Sequence, residues 1–163
     1  MSMLDIIKDR RSIRAYTSDR IPQEKLEKLI EAARLAPSAR NLQNWKFIVV
    51  DDPAIRKQLV PACNNQPSVA SASHVIAGVV DPTLKWHQVD MGIALEHIVL
   101  EAVELGLGTC WIGAFNEDDV KKVLKVPQDK KVVALLTVGY PAESPAARPR
   151  KAMGEIVAHN EYR

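Results

Sequence analysis

"WHQVDMGIALEHIVLEAVEL", residues 86–105, is the longest helical pattern in the chain. Apolar side chains recur at Met91, Ala94, Leu95, Ile98, Val99, Ala102 and Leu105, the three-and-four spacing of one helix face. Ile93, Leu100 and Val103 lie outside that stripe. A helix that is apolar on more than one side must be covered on more than one side, so this one is expected in the centre of a domain or against a partner. Gly106 and Gly108 end it.

Four strand-like runs surround that helix. "WKFIVV" (45–50) is β-branched and aromatic, and "HVIAGVV" (74–80) is apolar throughout. "TCWIGAF" (109–115) passes into a turn, and "KVVALLTVGY" (131–140) closes the series. A short amphipathic helix is predicted over 3–9. A second starts at Pro22 with Leu26, Leu29, Ile30 and Ala33 on one face and a Glu24–Lys28 pair, and stops before Pro37. Asp52 and Pro53 start a third. Small residues in 64–73 suit a short helix. Asn116, followed by Glu117, Asp118 and Asp119, starts another that ends near Val126 and Pro127. With no repeat and no linker, the reading is a single α+β domain over 1–163, helices flanking a mixed, mainly antiparallel sheet. The tail, about 141–163, is expected to pack on the core or on a partner subunit.

Composition narrows the partners. Twenty-two basic against twenty acidic residues give +2, far from the excess of a chain built for a polyanion, so nucleic acid is not expected. No apolar run is long enough to span a membrane, and the acidic start does not resemble a signal peptide, so a cytoplasmic protein is expected. Cys63 and Cys110 form no CxxC or zinc-type spacing and read as buried small hydrophobes. His74, His87, His97 and His159 belong to no motif.

The charge that exists is local. "RRSIRAY" (10–16) puts three arginines within five positions, and "RPRK" (148–151) repeats the theme at the other end of the chain. Both could be solvated surface, or both could share one anion such as a phosphate monoester, to which charge-assisted hydrogen bonds are strong. "PSARNLQNW" (37–45) offers short polar side chains, as a capped turn or as contacts to a polar ligand. Gly113, at a strand end, lets main-chain amides approach a planar ligand or simply makes a turn.

The order "RRSIRAY", "APSARNLQNWKF", "NNQ", "GLGTCWIGAF", "RPRKAMGEIV" resembles the nitroreductase family of FMN-dependent oxidoreductases, from about Ile6 to Val157. The resemblance implies an interlocked homodimer joined through the long helix, with FMN at the interface. NADH or NADPH would be the reductant, and a nitroaromatic, a quinone or a similar small molecule the acceptor, in a ping-pong exchange. It implies that Arg10, Arg11 and Ser12, completed by Arg148 and Arg150, hold the phosphate and ribityl chain, and that Arg14 lies at the pyrimidine edge. Asn65 would read the flavin edge, and the backbone of Ile112, Gly113 and Ala114 would approach N5. Pro37, Ser38, Ala39 and Asn41 would serve the flavin of the other subunit. No side chain is expected to be a nucleophile or general acid, and no metal is expected.

The chain departs from the family in having Asn44 and Ala152 where Pro is common, Ser68 where a second basic residue is frequent, and only residues 81–85 where larger relatives carry a substrate-covering insertion. An open site follows. Dehalogenation or flavin destruction on the same fold, and non-redox binding of a phosphorylated ligand, are the alternatives.

Overall fold

A computed structural model of the protein describes residues 2–162. Eleven regular elements follow one another as α1 (Met3–Asp9), α2 (Gln23–Arg34), β1 (Lys46–Val50), α3 (Pro53–Ala62), α4 (Ser68–Ser71), β2 (His74–Val80), α5 (His87–Glu104), β3 (Gly108–Ile112), α6 (Glu117–Leu124), β4 (Lys131–Gly139) and α7 (Met153–Ile156). The strands form one sheet in the order β1-β2-β4-β3, and every neighbouring pair is antiparallel. The one parallel contact is an isolated bridge between Ser12 and Thr109. Among the described residues no helix is long and apolar enough to cross a membrane.

Strand alternation distributes the core over two layers. Ile76, Val80, Leu136 and Val138 pack with Leu29 and Ala33 of α2 and with Met91, Leu95 and Ile98 of α5. Val75, Ala77 and Leu135, one residue out of phase, pack on the other face with Leu59 of α3 and Val120 of α6. Gly78 faces α5, where an added Cβ would stand 2.5 Å from Met91 Sδ.

The apolar excess of α5 divides in two. Ile93 packs against the core already described, as does Leu105 just after the helix. Leu100 instead lines a groove of about 560 Å³ with Met3, Ile6, Ile7 and Leu35. On α1, Met3, Leu4 and Ile7 are exposed, as is Leu35 at the end of α2. The tail is exposed from residue 146 onward, with Met153, Ile156 and Val157 among its open side chains. It does not pack on the core of its own chain.

The arginine-rich segment is extended. Ile13 N–H donates to Thr109 O at 2.8 Å, Thr17 N–H to Tyr140 O at 2.9 Å, and Ala142 N–H to Ala15 O at 2.9 Å, so 12–17 runs between β3 and the chain leaving β4. Room for it comes from two glycines that face each other across the β3–β4 pair, Gly108 and Gly139. A Cβ on Gly108 would meet Ile13 Cγ1 at 2.7 Å, and one on Gly139 would meet the Tyr16 ring at 2.8 Å. Tyr16 Oη lies 2.6 Å from Ile13 O and 2.7 Å from Thr137 Oγ1, and burial pushes its phenol above its ordinary pKa.

Overpacking of this slot should be costly. Gly108→Ala or Gly139→Ala should each destabilise the chain by about 1–3 kcal/mol in urea denaturation, whereas Gly154→Ala, whose Cβ meets nothing within 4 Å, should stay within about 0.5 kcal/mol. Equal midpoints for all three would show that the slot is not tight.

Candidate functional site

The extended backbone sets the chemistry of its side chains. Successive residues alternate across it, which turns Ile13 to the side opposite Ser12 and Arg14. Ile13 fills the glycine slot. The opposite side opens on a cleft of about 590 Å³, walled by residues 7–12 and 14 and by the returning tail at 145–148 and 150. Arg10, Arg11, Ser12, Arg14, Arg148 and Arg150 all line it, and Asp9 is its one carboxylate. Two basic clusters more than a hundred positions apart in sequence therefore meet around one space.

Their guanidinium groups are not equivalent. Arg11 donates from Nε to Pro145 O at 3.2 Å and from Nη1 to Lys8 O at 2.5 Å and Arg10 O at 2.9 Å, so it ties the tail to the N-terminal wall. Arg150 makes only long contacts, to Arg148 O at 3.5 Å and Pro149 O at 3.3 Å. Among the described residues no carboxylate forms an ion pair with Arg10, Arg14, Arg148 or Arg150. The nearby acid Glu143 is engaged by the main chain: its Oε1 accepts from the N–H of Arg14 at 2.5 Å and of Ala15 at 3.2 Å. The result is a concentration of cations that an anionic group would relieve.

A second set of expected residues lies along β3. Ser12 bridges Thr109. Ile112 is three residues further along the strand, roughly 10 Å at the usual rise. Ile112 is buried, while Gly113 and Ala114 are exposed. Asn65 is also exposed, and its loop is held against this turn: Asn116 N–H donates to Ala62 O at 2.8 Å, and Gln66 Nε2 lies 3.5 Å from Ala114 O. Asn64 and Asn65 both have left-handed backbones, φ 53° and 55°, which asparagine tolerates better than most residues. Ser68 is buried at the start of α4.

Pro37, Ser38, Ala39 and Asn41 stand apart from the cleft within one chain. Their loop packs on the first turn of α5, where Ala39 N–H donates to the buried Asp90 Oδ1 at 3.1 Å and Ser38 Oγ accepts from Gln43 N–H at 2.9 Å. Arg40, Asn41 and Gln43 all adopt positive φ. Sequence gave a signal for this only at Asn41. The loop borders a smaller cavity of about 240 Å³, completed by Leu84, Lys85 and Trp86.

Cys110 neighbours Ser12, whereas Cys63 and His74 lie away from the cleft. Burial pushes the Cys63 thiol up to about 11 and raises that of Cys110. His74 is buried with Nδ1 at 3.0 Å from Ser73 Oγ, and desolvation holds its pKa below the usual value. No group of three or more potential metal ligands occurs among the described residues.

Comparison with known proteins gives one result throughout. The profile described as "Nitroreductase family" matches residues 7–85 and 81–140, two segments that meet in the short connection between β2 and α5. A protein of Archaeoglobus fulgidus with the provisional name NADH dehydrogenase/NAD(P)H nitroreductase is 36% identical over 149 residues, 86% of either chain. The Bacillus subtilis FMN reductase [NAD(P)H] is 31% identical over 186 residues, covering 98% of this chain and 74% of that protein. The crystal structure of nitroreductase A from Vibrio parahaemolyticus superposes with a TM-score of 0.93 at 28% identity, over 100% of this chain and 77% of its own. Arg148 and Arg150 lie beyond the matched profile, so their place beside the other arginines is known from the cleft itself.

The Glu143 contact is testable by itself. Glu143→Ala should speed amide hydrogen exchange at Arg14 and Ala15 by roughly fivefold, the factor carried by one ordinary hydrogen bond. Unchanged protection at both amides would show that the carboxylate does not hold the cleft wall.

Proposed function

Since the chain belongs to the nitroreductase family, we propose that it is an FMN-dependent oxidoreductase taking reducing equivalents from NADH or NADPH. It passes them, in a ping-pong exchange, to a nitroaromatic, a quinone or a similar small acceptor. The observation that carries this reading is the meeting of both basic clusters in one cleft, beside a strand that ends in an exposed glycine.

The residues fit the group. A phosphate accepts several charge-assisted hydrogen bonds, and Arg10, Ser12, Arg148 and Arg150 offer donors that form no ion pair with a carboxylate among the described residues. Arg11 holds the two walls at a fixed separation. Gly113 needs no glycine on internal grounds, because a Cβ there would meet nothing within 4 Å. A flat ligand laid over the turn supplies a reason: it requires close approach to the backbone. Asn65, on the loop packed against that turn, supplies an amide for the polar edge of the ring. FMN, when bound, supplies the two-electron redox chemistry. The chain binds, orients and tunes. No side chain is assigned as nucleophile or proton donor.

Two copies are needed for a complete site. Pro37, Ser38, Ala39 and Asn41 face away from their own cleft and serve that of a second subunit. The groove between α1, α2 and α5 and the exposed apolar tail provide surfaces for that second copy.

Cofactor binding should track the cleft. The purified protein should be yellow, or turn yellow on FMN addition, and sediment as a dimer. Arg150→Ala should weaken FMN binding by roughly tenfold or more, the effect of one charge-assisted hydrogen bond, and Lys57→Ala, on an exposed part of α3, should not. A protein that takes up no FMN, or an FMN-saturated monomer of full affinity, overturns the reading.

Arg14 should tune the cofactor instead of holding it. A fixed cation at the pyrimidine edge favours the reduced, more negative ring, at about 1–3 kcal/mol for a partly screened pair. Arg14→Ala should therefore move the midpoint potential of bound FMN negative by roughly 20–60 mV, whereas Arg150→Ala should leave it nearly unchanged. A redox titration giving equal potentials for wild type and Arg14→Ala removes this role.

A further inference from the structure

The 240 Å³ cavity at the start of α5 shares no lining residue with the arginine cleft, Ala39 alone among the expected flavin-contacting residues borders it, and its walls have a distinct chemistry. Arg40 and Lys85 bring two positive charges to it, and both side chains are exposed. Neither forms an ion pair among the described residues. Trp86 is half exposed, with Lys85 Nζ 5.3 Å from its ring centroid. Leu42 and Leu84 add apolar wall. The one opposing charge is Asp90, buried beneath and engaged by Ala39 N–H. The balance is one net positive charge beside a half-exposed indole ring, with the Lys85 ammonium over that ring.

We propose that this cavity holds the anionic end of a planar aromatic substrate, the ring stacked on Trp86 and the carboxylate or phosphate between Arg40 and Lys85. Size supports a subsite and not a complete one, since whole small-molecule pockets run from about 300 to 1,000 Å³. Backbone geometry supports it as well. Arg40 is held at φ 54°, a conformation disfavoured for arginine, by a loop whose neighbouring amide is clamped to Asp90. The inference rests on the reading above in one respect: the loop 37–41 then serves the partner's flavin, so the cavity opens at the edge of the acceptor site. Two sources carry this chemistry: an aromatic acceptor bearing a carboxylate, and the phosphorylated adenosine of NADPH.

The test uses FMN-saturated protein and a matched pair of acceptors, 4-nitrobenzoate and the neutral 4-nitrobenzamide. Binding is followed by quenching of tryptophan fluorescence, with Trp86→Phe identifying the responding residue. The benzoate should bind roughly threefold to tenfold more tightly than the amide at low salt, the range of one or two screened charge pairs. Lys85→Gln and Arg40→Asn, the latter compatible with positive φ, should each erase most of that difference and raise the KM for 4-nitrobenzoate alike. Affinity for 4-nitrobenzamide should stay within twofold, which separates the effect from misfolding. If the phosphorylated adenosine is the occupant, the same variants raise the KM for NADPH and spare NADH, and the benzoate preference is absent. The proposal is overturned if the two acceptors bind equally and the variants affect NADPH and NADH equally. FMN uptake is measured on each sample: its failure removes the flavin reading, while Trp86 quenching by 4-nitrobenzoate continues to report on the cavity.

Discussion

Two absent side chains determine where the arginines go. Gly108 and Gly139 face each other across β3 and β4, and the space left by their missing Cβ atoms is taken by Ile13 and by the ring of Tyr16. Once those two are seated, residues 12–16 have no freedom to coil. The segment lies along the outer edge of β3, bridging Thr109 in parallel and Pro141 antiparallel. That position closes an otherwise open sheet edge, and pleating then sends Ser12 and Arg14 to the side opposite Ile13. The tail follows, because its chain leaves β4 directly beside this segment and Arg11 fastens it at Pro145. A steric feature of the sheet is thus the origin of the electrostatic feature of the cleft.

What could be read from the chain was what local chemistry decides. The fully apolar run 74–80 is β2 residue for residue, and the extra-wide stripe of 86–105 is α5. Asp52 caps α3 through Ala54 N–H at 2.7 Å, and Asn116 caps α6 through Asp119 N–H at 3.0 Å. The Glu24–Lys28 pair forms at 3.1 Å. Long-range contacts decide the rest. Gly108 reads locally as a helix stop, and nothing near it in sequence points to Ile13. Arg11 looks like its neighbours until Pro145 is placed beside it. Positive φ at Arg40 and Gln43 carries no residue-type signal. Lys121, one of two adjacent lysines on α6, is buried with its ammonium 3.3 Å from Glu117 Oε1, a contact decided by the fold around it.

The apolar surface left over has the same non-local character. On α5 the stripe was predicted to need cover on two sides, and a single chain supplies one of them through α2 and the sheet. On the other side α1 lies across the helix but leaves Met3, Leu4 and Ile7 open, and Leu35 continues the patch. The tail, with Met153, Ile156 and Val157 exposed, has no seat on its own core. Under the proposed dimer these are complementary consequences of one arrangement: a chain with an uncovered groove and an unpacked apolar arm.

The short connection between β2 and α5 is braced by side chains on either side of it. Asn44 clamps Asp81 through both partners of its main chain, Nδ2 to Asp81 O at 3.0 Å and Oδ1 from Asp81 N–H at 3.1 Å. A proline in place of Asn44 would have no side chain able to do so. Asp81 in turn accepts from Thr83 N–H at 3.0 Å and Oγ1 at 2.7 Å and pairs with Lys130 at 3.4 Å. Those hydrogen bonds from Thr83 and Lys130 lower its pKa to about 2, so the carboxylate stays charged, and the turn stays braced, down to that pH. A braced five-residue connection is a poor lid, because closure needs backbone that can move. It is a good platform, because the backbone that carries its last residue, Lys85, and then Trp86 follows directly from the braced turn. Under the proposal above, such a site would discriminate by groups already at its rim: Arg40 and Lys85, which form no ion pair among the described residues, and the Trp86 ring that Lys85 overlies.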